Sequence, residues 1–62
     1  MEFIELSDKT IINVSDIILL NVDKDRKTGG YVYRLYLRGK GMTLRMSETD
    51  YQIIRKRLLG EN

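Results

Sequence analysis

The chain has 62 residues, 42% of them hydrophobic, with no cysteine and no histidine. It is one domain, residues 1–62, near the lower size limit at which a hydrophobic core alone holds a fold, and neither disulfides nor a Cys/His metal site can add stability. The net charge of +2 is unevenly spread: residues 1–25 carry six acids and two bases (−4), residues 26–62 nine bases and three acids (+6), and residues 26–45 six bases and no acid.

Such a basic block suits an anionic partner, whether nucleic acid, nucleotide or an acidic protein surface. The plainer alternative is a solvated basic face paired with the acidic half of the same or a neighbouring chain. No apolar run approaches the roughly 18 residues of a membrane span. The opening MEFIELSD begins with acid and strand residues in place of a basic leader, so the expectation is a cytoplasmic protein without membrane association.

Residues 2–6 read as a short strand, Ser7-Asp8-Lys9 as a turn, and residues 10–14 as a second strand with Ile12 and Val14 on one face. Ser15 and Asp16 mark a break. The run Ile17, Ile18, Leu19, Leu20 and Val22 is too short for an ordinary helix and predicts a third strand buried on both faces. A strand of that kind needs two covers and one helix supplies only one, so a homo-oligomer is expected.

Residues 23–30, DKDRKTGG, predict a mobile hairpin loop. The stretch YVYRLYLRGKGMTLRM follows. A two-residue turn at Gly39-Lys40, glycine first as a type II′ turn prefers, makes paired positions sum to 79. Leu37 then faces Met42, Leu35 faces Leu44 and Tyr33 faces Met46 on one side; Tyr36 faces Thr43 and Arg34 faces Arg45 on the other. Val32 and the ring of Tyr36 are the apolar exceptions to the common face.

Ser47-Glu48-Thr49-Asp50 matches a capping box, with the serine hydroxyl accepting from one free amide and Asp50 reaching back to another. The helix it starts has a stripe of Tyr51, Ile54 and Leu58, bases in its last turn, and a glycine stop at Gly60. Leu35, Leu44, Ile54 and Leu58 are expected to pack together. Ile53 lies off the stripe, as tolerated surface or as a subunit contact, and Leu59 sits at its margin. The fold class is therefore α+β, mainly β: an antiparallel sheet of four or five strands with one C-terminal helix.

The frame FIEL followed by INVSDIILLNV, a polar loop, an alternating hairpin and a terminal helix resembles the small FlbD-type proteins of flagellar operons and phages. Phe3, Ile4, Leu6, Ile12, Asn13, Val14, Asp16 and Ile17 carry that likeness. Asp16, Ile17 and Leu20 are also similar to the strand portion of LytTR-type DNA-binding domains. These resemblances imply a compact strand-rich fold, a phage or mobile-element origin and no catalysis.

The residues themselves also argue against an enzyme. Without His or Cys, acid–base or nucleophilic chemistry would fall to carboxylates, lysines, tyrosines and hydroxyls. The two carboxylate pairs read otherwise, Asp23 and Asp25 as turn chemistry and Glu48 and Asp50 as helix capping. Asp23-Lys24-Asp25 lacks the glycine and acid that would complete a calcium loop, and Arg38-Gly39-Lys40-Gly41 lacks the spacing of a phosphate-binding loop. No catalytic residue, metal or cofactor is expected.

Arg34 opposite Arg45 costs the sheet a few tenths of a kcal/mol or more unless something compensates. The candidates are an acid of another strand or subunit, such as Glu2 or Glu5, or a bound anion. Tyr36 between Arg34 and Arg38 offers a ring on which a base could stack. The candidate ligand-binding residues are thus Arg34, Tyr36, Arg38, Lys40 and Arg45, holding a nucleotide or nucleic-acid phosphate. The alternative is a protein–protein interaction module, such as a phage inhibitor of a host protein or an assembly accessory, that takes no such ligand.

Overall fold

A computed structural model describes residues 2–39, 41 and 43–60. Five strands and one helix follow in the order β1 (Phe3–Glu5), β2 (Ile11–Asn13), β3 (Ile17–Lys24), β4 (Tyr31–Leu37), β5 (Thr43–Met46) and α1 (Glu48–Leu59). The fold is α+β and mainly β. The strands do not form one sheet: β1 and β2 make an antiparallel pair, and β3-β4-β5 an antiparallel sheet in that order.

The first hairpin turns at the polar segment 7–9, where Lys9 takes φ 74° and the Asp8 carboxylate accepts from the Thr10 amide at 3.0 Å. At the end of β2, Asn13 Oδ1 accepts from the amide and hydroxyl of Ser15 at 3.1 and 2.9 Å. This local bonding competes with the strand ladder and winds Val14–Asp16 into a 3₁₀ turn, the break expected at Ser15 and Asp16. Between β3 and β4 the Asp25 carboxylate accepts from the Lys27 amide, and its carbonyl accepts from Gly29, whose φ of 76° suits a residue without a Cβ.

The β4–β5 register pairs Tyr33 with Met46, Arg34 with Arg45, Leu35 with Leu44 and Tyr36 with Thr43, as the sum of 79 requires. Its turn residue Lys40 and the Leu37–Met42 pairing lie outside the described residues. In β3 the register shifts between Ile17 and Leu19, a bulge that takes up Ile18. Ile17 and Leu20 can therefore both meet the core despite their odd separation.

That core comprises Ile4, Leu6, Ile12, Leu35 and Ile54, with Val14, Ile17, Leu20, Leu37, Leu44 and Met46 packed around it. The β1–β2 hairpin and α1 thus cover the same face of the three-stranded sheet. Leu35 and Ile54, each fully buried, are its centre.

Three expectations need correction. β3 is not buried on both faces: Ile18 and Leu19 are 62% and 50% exposed, because both covering elements lie on the opposite side. Leu58 does not join the core; at 40% exposure it lies toward the end of the helix, beyond the buried Asp50 and Ile54. Asp50 forms only half a capping box. Its amide donates to Ser47 Oγ at 3.2 Å, but its carboxylate turns to Ser7 in the β1–β2 turn.

The other helix end is tied to β1, where Arg57 pairs with Glu2 and bonds the Phe3 carbonyl. Helix α1 therefore runs antiparallel to β1, its start beside Ser7 and its end beside Glu2. Gly60, at φ 73°, closes it with its amide directed to the carbonyls of Arg57 and Lys56.

Candidate functional site

The sheet face turned away from α1 carries Leu19, Asn21 and Asp23 from β3, Val32, Arg34 and Tyr36 from β4, and Thr43 and Arg45 from β5, since strand side chains alternate and paired residues share a face. Arg34 and Arg45 are cross-strand partners here. An open groove of about 560 Å³ runs beside them, lined also by Val32 and by Asp23–Lys27 from the hairpin end. These chain neighbours explain why Val32 is 8% exposed although it faces away from the core.

The compensation for the facing arginines comes from within the chain. Arg34 donates to Asp23 Oδ2 at 2.8 Å, and the same oxygen accepts from the Asn21 amide group at 2.9 Å. Neither Glu2 nor Glu5 supplies it; Glu2 is engaged with Arg57. The Arg34–Asp23 pair is 39% and 51% exposed, so its Coulomb gain is screened and amounts to about 0–1 kcal/mol. Arg45 is exposed and has no ion-pair partner among the described residues.

The five expected ligand residues are only partly gathered. Arg34 and Arg45 adjoin one groove, and half-buried Tyr36 sits one residue pair along the same face, between Leu19 and Thr43. Arg38 lies elsewhere. Its amide donates to the Asp16 carbonyl at 2.7 Å, and it lines a second groove of about 510 Å³ with Ile11, Asn13, Asp16 and Leu37. Lys40 lies outside the described residues.

Sequence reasoning missed Asp23 as the partner of Arg34 and missed Lys24, Arg26 and Lys27 at the groove. The signal lay in the β3–β4 register: pairing Asp25 with Gly30 across the loop puts Asn21 opposite Arg34 and Asp23 diagonal to it. Counting the groove's charges gives five cations (Lys24, Arg26, Lys27, Arg34, Arg45) against Asp23 and Asp25, a surplus of three.

Chemically the arrangement can hold an anion through guanidinium and ammonium donors and stack a planar group on Tyr36. Among the described residues no three acidic side chains gather as a metal site. No described helix is long and apolar enough to cross a membrane. No protein-family model, curated protein or solved structure matches the chain.

Proposed function

We propose that the chain is a non-catalytic binding module that holds an anionic ligand, a nucleotide or a phosphate of single-stranded nucleic acid, on the outer face of its three-stranded sheet. The observation that carries this reading is the uncovered face itself: α1 and the β1–β2 hairpin both pack on the other side, leaving Arg34 and Arg45 beside a groove with surplus positive charge and half-buried Tyr36 one residue pair along the same face. Aromatic residues interleaved with cations on an open sheet suit single-stranded nucleic acid, whose bases stack while its phosphates are neutralised. The cytoplasm is the compartment this reading implies. Self-association belongs to it as well, because a short chain without covalent staples leaves Ile18 and Leu19 exposed.

Those two exposed side chains also favour the second reading, a protein–protein interaction module of the phage-inhibitor or assembly-accessory kind. Titration of a labelled short oligothymidylate and of a labelled mononucleotide at low salt separates the two. The first reading expects binding that weakens with salt and falls at least about tenfold in Arg45→Gln and in Tyr36→Ala. Absence of binding by either probe removes the anion site and leaves the interaction module.

A further inference from the structure

The three-stranded sheet has two edges, and they are not alike. Beside β5 lies the β1–β2 turn, whose Leu6, Ser7, Asp8 and Thr10 share a cleft with Leu44–Ser47. β3 forms the other edge, eight residues long, and among the described residues β4 is the only strand paired with it. It carries no proline, and its interior from Ile18 to Val22 carries no charge. Proline and charge are two of the devices by which edge strands ordinarily discourage pairing, and a third, the bulge at Ile18, limits the regular edge to Leu19–Lys24.

The backbone groups offered on that edge follow from the ladder. The Asp25 amide bonds the Gly30 carbonyl at 2.8 Å, so bonded pairs alternate from there along β3 and β4. Asp23 and Asn21 then bond β4, while the N–H and C=O groups of Leu20, Val22 and Lys24 point to the free edge. At the other end, the Arg38 amide reaches the Asp16 carbonyl outside the Ile17–Leu37 pair, which is the same alternation carried across the bulge.

We infer that this edge pairs with β3 of a second copy, antiparallel, about a twofold axis at Asn21 or Val22, to give a continuous six-stranded sheet. Only an even register keeps like faces together, and an axis through either residue satisfies that. Charge selects the antiparallel sense. The strand starts at exposed Asp16 and ends in Asp23–Lys27, where Asp23 is paired with Arg34 and Lys24, Arg26 and Lys27 outweigh Asp25, so antiparallel pairing sets each net basic end beside the other copy's acidic start, whereas parallel pairing would set like charges together. Asp16, Lys24, Arg26 and Lys27 have no ion-pair partner among the described residues. The pairing rests on the self-associating reading and is independent of any ligand; it also joins the two outer faces, with their Arg34, Tyr36 and Arg45, into one surface.

The chain has no cysteine, so engineered thiols report cleanly. Asn21→Cys and Val22→Cys are each oxidised in otherwise wild-type protein, with Thr49→Cys on the exposed start of α1 as the control. The expected result is disulfide-linked dimer from the β3 cysteine nearest the axis well above the control, together with a dimer in sedimentation of the wild type. Val22→Pro removes an amide that faces the free edge and leaves the β4 ladder its donors, so it should weaken the dimer at least tenfold with an unchanged circular dichroism spectrum; Val22→Lys should do the same if proline disturbs folding. A wild-type dimer that neither cysteine captures above the control overturns the edge pairing while leaving self-association standing. A monomer at millimolar concentration overturns both.

Discussion

The carboxylate of Asp50 accepts both the amide and the hydroxyl of Ser7, 43 residues earlier in the chain, each at 3.0 Å. One side chain thereby joins the start of the helix to the turn of the first hairpin. At 6% exposure Asp50 is the buried charged residue among those described, and its hydrogen-bonding capacity is met by a partner that sequence spacing does not reveal. Replacing Asp50 with alanine removes both hydrogen bonds from Ser7 to a carboxylate and should cost about 1.5–3 kcal/mol. Ser47→Ala, which removes the local cap alone, should cost about 1 kcal/mol. Urea denaturation of the two variants checks the order; a larger loss in Ser47→Ala would mean that the helix start is held by its own cap and not by the hairpin.

Leu35 and Leu58 should separate. Leu35 is fully buried, so Leu35→Ala leaves a cavity at the centre of the core and should cost about 2–5 kcal/mol. Leu58, at 40% exposure, loses only partial burial and leaves no enclosed cavity, so Leu58→Ala should cost about 1–2 kcal/mol, less than Leu35→Ala. Equal losses would place the helix one residue out of its observed rotation.

The facing arginines should respond with opposite signs. Arg34→Gln leaves Asp23 without its cation and should lower stability by up to about 1 kcal/mol. Arg45→Gln relieves the like-charge contact without breaking an ion pair, so stability should hold or rise slightly. Chemical denaturation of both single variants reads the difference. Destabilisation by Arg45→Gln would point to an acidic partner for Arg45 in an assembled form.

Alkaline pH should loosen the contact between Tyr33 and Tyr51, whose rings lie 4.8 Å apart. Burial, and then the nearby Glu48 carboxylate, push the Tyr33 phenol above its ordinary value of 10.0. A group whose pKa folding raises gives its full contribution below the unfolded value. That contribution drains away as pH climbs from there through the folded value, because the unfolded chain ionises first. Melting temperatures between about pH 9 and 11 should therefore fall, and Tyr33→Phe should flatten part of that fall. A Tyr33→Phe variant with an unchanged slope would assign the alkaline loss to other groups.

The sequence by itself determined whatever depends on local period and turn chemistry. The β4–β5 register follows from one turn and strict alternation, so Arg34 opposite Arg45 is legible in the residue pattern alone. The break at Ser15, the cap at Ser47 and the stop at Gly60 follow from groups that bond backbone within a few residues. Only the tertiary structure decided which sheet face would be covered, because the run from Ile17 to Val22 is apolar on both sides and a symmetric pattern cannot say where a helix will lie. It likewise decided that Asp50 serves Ser7 and that Arg38 parts from Arg34 and Arg45. Each of those outcomes turns on which elements meet in space, and the energy that fixes this is the joint burial of Ile4, Leu6, Ile12, Leu35 and Ile54, a property of the assembled core that no single segment carries.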